Sequence, residues 1–148
     1  MNATVSSGPA KAPWHLWAVG ILSLCWNAFG AYDYLMSVTR NADYFKGRPP
    51  ELLSLLDAIP VWATAAWAVA VWGSVLASLL LLIRSRLATS VYLISLVGAL
   101  VTFAYQFTLK LPPALDTVGQ KIVPLVIVIL IVAQWYYARR MTQAGVLR

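Results

Sequence analysis

From Trp14 to Met36 the chain reads WHLWAVGILSLCWNAFGAYDYLM, an almost uncharged run long enough to cross a bilayer as a helix. Its small and amide positions, Gly20, Ser23, Asn27, Gly30, Ala31 and Tyr34, are spaced three, four, three, one and three apart and so share one helical stripe. A helix with such a stripe turns it away from lipid, because helices in hydrocarbon associate through close-packed small residues and interhelical hydrogen bonds. Polar sequence then fills Ser37 to Ile59, apart from Leu52, Leu55, Leu56 and Ile59, which recur at amphipathic-helix spacing behind Pro50. That segment is too short to span, and the pattern predicts an interfacial helix that serves as a connector or a lid.

Three further apolar runs follow, predicting spans over about 61–83, 88–109 and 122–138 beside the first at 14–36. In the second, Ala66, Ala70, Ser74 and Ser78 stand four apart, a small-residue stripe that admits a neighbouring backbone. Arg84-Ser85-Arg86 leaves room only for a tight turn into an antiparallel neighbour. That neighbour repeats the device with Gly98, Thr102 and Gln106, and Tyr105 adds a phenol near the same face. Two prolines and a glycine make a loop of Lys110 to Lys121, and Pro124 is expected in the first turn of the last span. The fold class is therefore an all-α membrane protein: a four-transmembrane-helix antiparallel bundle over 14–138, with an N-terminal mobile tail at 1–13 and a basic C-terminal tail at 139–148.

Composition agrees with a membrane protein: 61% of the 148 residues are hydrophobic and 11% charged, with a mean hydropathy of +0.75. The net charge of +6 does not read as a nucleic-acid surface, because the basic residues sit at the ends of apolar runs. Trp14, Trp17, Arg84, Arg86, Trp135, Tyr136, Tyr137, Arg139 and Arg140 are placed as interface anchors. With four spans both termini share a side, which gathers Lys11, Arg84, Arg86, Arg139, Arg140 and Arg148 and no acid, so both termini are expected to be cytoplasmic. A cleaved signal peptide ending at Gly30 is the competing reading of the first run, opposed by its single Lys11 and by the aromatic-rich helix that continues past the site. The lone Cys25 can form no intramolecular disulfide.

Candidate chemistry is sparse. Asp33 is the only acid within a span, and an ionisable group there costs on the order of 3 kcal/mol at mid-depth. At the helical rise it lies roughly 28 Å from Trp14, close to the far edge of the hydrocarbon, whereas Asn27 at roughly 20 Å is inside it and needs a partner. Asn27, Asp33, Thr64, Thr102, Tyr105 and Gln106 fall in the outer half of the bundle, as a polar pocket open to the periplasm or as a hydrogen-bond network between helices. Gly20, Ser23, Gly30, Ala66, Ala70, Ser74 and Gly98 are the helix-packing positions. No metal site, cofactor or catalytic residue is expected: His15 is the only histidine, and no nucleophile–base constellation or phosphate loop occurs. An aromatic crevice between Trp26 and Trp72 is the one place a pigment or quinone would fit.

The segments PWHLWAVGILSLCWNAFGAYDYLMS, AWAVAVWGSVLASLLLLIRSR and LISLVGALVTFAYQF resemble a family of small four-span bacterial inner-membrane proteins often labelled sugar transporters without a mechanism. The resemblance implies the bacterial inner membrane and a transport label, with no binding residues to carry over. No internal repeat and no mid-span break supports a transporter of this length unless it oligomerises. The expected role is thus a non-catalytic accessory or structural subunit beside a membrane-protein partner or a second copy, and the alternative is an oligomeric carrier of a small solute, such as a sugar.

Overall fold

The structure, a computed structural model, describes residues 10–148, so the expected mobile tail lies outside the described residues except for 10–13. The described residues form six helices and no strand: α1 (Trp14–Val38), α2 (Ala42–Phe45), α3 (Glu51–Asp57), α4 (Val61–Leu82), α5 (Leu87–Thr108) and α6 (Val118–Gln143).

The boundaries have local causes. Pro13 and Pro60 precede α1 and α4 in extended backbone, where a proline costs no helical hydrogen bond. The Asn41 side chain accepts the Tyr44 N–H at 2.9 Å to open α2, and the Thr117 hydroxyl accepts the Gln120 N–H at 3.3 Å to open α6. Arg40 and Arg84 end α1 and α4 in the left-handed region, with φ of 52° and 62°.

Three helices of the described residues, α4, α5 and α6, are long and apolar enough to cross a membrane, where four were expected. The exception is α1, which at 25 residues has the length but not the composition, because His15, Asn27, Asp33 and its Trp and Tyr residues dilute the apolar character. The last helix begins at Val118, a turn before the expected start at 122. Pro124 consequently lies inside α6, where it removes the N–H that would have reached the Gln120 carbonyl. The expected C-terminal tail is also different. Helix α6 continues to Gln143, and Val146 and Leu147 fold back into the core.

Helix α4 is central, packing against both α1 and α5, and α5 packs against α6. At Gly98 the α4 and α5 backbones meet: a Cβ there would come within 2.8 Å of the Ala66 carbonyl oxygen and 2.9 Å of the Ala70 nitrogen. The Ser95 hydroxyl uses the same proximity to donate to the Ala70 carbonyl at 2.6 Å. The main core of Leu16, Ala77, Leu81, Ala88, Tyr92, Ala138, Val146 and Leu147 occupies one end of the bundle. Arg84 closes that end, its guanidinium donating to the Ala10 carbonyl at 2.6 Å and the Val146 carbonyl at 3.1 Å, while the Arg148 N–H reaches the Arg84 carbonyl at 2.8 Å. Arg84 is thus a half-buried clasp.

The other end carries α2 and α3. The stripe of Leu52, Leu55, Leu56 and Ile59 lines a cavity in the bundle, so α3 roofs that cavity, the lid form of the expected amphipathic helix. Arg40 pins the roof to the end of α1 through an ion pair with Asp57 at 2.8 Å.

Candidate functional site

The site begins with one buried amide. Asn27, 5% exposed, reaches across three helices: its Nδ2 donates to the Ser74 carbonyl on α4 at 3.2 Å, the Ser78 hydroxyl at 2.9 Å and the Gln134 Oε1 on α6 at 3.0 Å. Ser78 donates to the Ser74 carbonyl at 2.9 Å, and its oxygen lies 2.9 Å from the Tyr92 hydroxyl on α5. A hydroxyl has one hydrogen and two lone pairs, so with Ser78 donating to Ser74 it accepts from both Asn27 and Tyr92 and is saturated. No buried side-chain polar atom among the described residues lacks a partner. The result is a closed polar seam through all four long helices at the level of Asn27.

The seam includes residues that the sequence reading did not assign to it. Tyr92 is fully buried and Gln134 nearly so, and the sequence pattern singles out neither within its predicted span. Ser78 was legible only as a small packing residue. The one available signal for Gln134 is that a carboxamide in a long apolar run needs a partner at its own depth.

Beyond the seam lies empty space. A cavity of about 330 Å³ sits under the α2–α3 roof between α1, α4, α5 and α6, and a second of about 270 Å³ continues from it toward Asn27 and Ser74. They share Asp33, Trp67, Thr102, Phe103, Val123 and Ile127 as common wall. The deeper part is mostly apolar, walled by Trp26, Phe29, Ile127 and Ile131, and α1 and α6 flank it without the close packing that joins α1 to α4, α4 to α5 and α5 to α6, which leaves a crevice between them. Those two helices are bridged by His15 and Tyr137 at 2.5 Å and by Asn27 and Gln134, all at or below the seam.

The expected pocket residues divide. Asp33, Thr102, Tyr105 and Gln106 line the cavity, while Asn27 forms its floor with its amide protons committed to the seam. Thr102 donates to its own helix at the Gly98 carbonyl, 2.8 Å away. Thr64 lies apart in a shallow depression beside Arg40 and Asp57. Among the packing positions, Gly20 is tight against Leu82, whereas Gly30 has nothing within 4 Å of a Cβ and borders the open crevice, so it packs against no helix. The expected aromatic crevice also moves: Trp72 does not line the cavity, and the indole that lines it together with Trp26 is Trp67. Tyr137 is half-buried against His15 instead of standing in a belt, while Trp14 is exposed and Arg139 and Arg140 lie over Trp135 and Tyr136 at 5.5 and 5.9 Å.

At the mouth Tyr44 is the hinge of the electrostatics. Its hydroxyl donates to Asp33 Oδ1, and the Arg48 guanidinium lies 4.0 Å above its ring. Burial, followed by the Asp33 carboxylate, holds the Tyr44 hydroxyl above its ordinary range, and Arg48 offsets part of this. The phenol therefore stays protonated and remains a donor. No family model, curated protein or solved structure matches the chain.

Proposed function

We propose that this chain is a non-catalytic integral membrane component, crossing the bilayer four times with both termini on the cytoplasmic face, and acting as a structural or accessory subunit. The observation that carries this reading is the closed seam around Asn27. A carrier needs a wet path that can open to each side in turn, whereas here the amide protons of the deepest polar group are taken by other helices and a dry core fills the space below. Support for α1 as a fourth crossing comes from its 25-residue length and from Asn27 being satisfied at depth, so that its polar residues need not meet lipid. The concentration of Arg84, Arg86, Arg139, Arg140 and Arg148 at the clasped end favours a cytoplasmic assignment for it.

Single cysteines in a Cys25→Ser background, probed with a membrane-impermeant thiol reagent from each side, test the reading. Gln106→Cys and Thr102→Cys are expected to label from the roof side, and Ala77→Cys and Ala88→Cys from neither side. Labelling at 77 or 88 from the roof side would reveal a path through the seam and restore the carrier alternative.

A further inference from the structure

The cavity wall holds two formal charges of opposite sign, Asp33 and Arg48, and every other lining side chain is uncharged. Both touch Tyr44, yet neither forms an ion pair among the described residues; the pairs at this end are Arg40 with Asp57 and Lys121 with Asp116. A carboxylate and a guanidinium held apart at one mouth match a head group that carries both signs, an ammonium for Asp33 and a phosphate for Arg48. Tyr105, Gln106 and Gln120 add uncharged hydrogen-bonding groups to the same rim.

Below the rim the chemistry changes to hydrocarbon. From Asp33 to Asn27 the wall descends about 9 Å along α1, and over that depth Trp26, Phe29, Phe103, Ile127 and Ile131 line the crevice that opens between α1 and α6. A lipid in the leaflet on this side already has its head at the helix ends and its tail toward the midplane, so it meets the cavity in the required orientation.

We infer that the cavity binds a zwitterionic amphiphile of the bilayer, its ammonium and phosphate at Asp33 and Arg48 and an apolar chain in the α1–α6 crevice. This goes beyond the structural role proposed above and stands whether or not the seam ever opens. A sugar-like solute is a poorer match, because most of the deep wall is aromatic and aliphatic and the Asn27 amide protons and the Thr102 hydroxyl are already bonded within the protein.

Native mass spectrometry of the full chain, released from mild detergent after incubation with dioleoyl phosphatidylethanolamine, phosphatidylglycerol or free phosphoethanolamine, tests this. The zwitterionic lipid should be retained about tenfold better than the anionic one, and Arg48→Gln or Asp33→Asn should each reduce that retention about tenfold. Gly30→Leu fills the crevice where a Cβ meets nothing within 4 Å, and it should abolish retention while Gly30→Ala preserves it. Equal retention of the two lipids, or indifference to both charge variants, overturns the proposal; those variants decide alone if the leucine variant does not fold. Displacement of the lipid by free phosphoethanolamine, with phosphoethanolamine binding undiminished in Gly30→Leu, overturns the lipid source in favour of a soluble zwitterion.

Discussion

Asn27 is worth more than its size because of what it would leave behind. Removing its amide strips a donor from Gln134, Ser78 and the Ser74 carbonyl, and such interhelical bonds are worth about 0.6–2 kcal/mol each at most. Asn27→Leu is therefore expected to lower stability by roughly 1–3 kcal/mol, read as a shift in the dodecyl sulfate fraction that unfolds the protein in mixed micelles. Thr64→Val, at a residue that bonds only its own helix, should shift it little. Equal shifts for the two would remove the seam from the account. Tyr44 makes a separate prediction at the roof. Its neutral form is favoured in the fold, so whatever stability it contributes is complete below the unfolded phenol value near 10 and is lost as pH rises through the higher folded value. The difference in ultraviolet titration between the native chain and Tyr44→Phe should place its midpoint above about 10; a midpoint at or below that value contradicts the Asp33 contact.

Between elements, glycine decides how close α4 and α5 come. Gly98→Ala must push backbone against backbone, since the obstructing atoms are the Ala66 carbonyl and the Ala70 nitrogen, neither of which can rotate away. The expected cost is about 1–3 kcal/mol by the same micelle assay, against a near-neutral result for Gly30→Ala on α1. A stripe of small residues in the sequence does not by itself separate these two glycines. Both occupy the predicted face of their helices, but only Gly98 has a helix opposite it. The roof shows the same limit differently: the spacing of Leu52, Leu55, Leu56 and Ile59 announces an amphipathic helix without saying whether lipid or protein receives its apolar side. The answer came from Arg40 and Asp57, 17 positions apart, which tie α3 over the bundle.

At the scale of the molecule the bundle is polarised, with a dense clasped end and a hollow roofed end. Residues 10, 84, 86 and 148 meet at the dense end through Arg84 and its backbone neighbours, which puts both described termini on one side of the bundle. Reporter fusions at the two ends of the chain, one active only in the cytoplasm and one only outside it, should therefore agree with each other. Opposite sidedness would mean an odd number of crossings and would exclude α1 or another long helix from the bilayer. The hollow end is expected to exchange its backbone amides faster than the clasped end, because cavity walls and a seven-residue roof helix bury less apolar surface.

The sequence by itself determined the environment and the elements. Long apolar runs bounded by Pro, Arg and Gly dictate helices of membrane length, since in hydrocarbon the backbone must satisfy its own hydrogen bonds. It also marked Asn27 as a residue in need of a partner. What it could not determine was which partner, because Ser74, Ser78 and Gln134 lie 47, 51 and 107 positions away, and nothing local distinguishes them from other span residues. Nor could it decide that Asn27 would become the floor of a cavity and Asp33 part of its mouth. That division depends on α1 and α6 touching below Asn27 and parting above it, a matter of how whole helices pack.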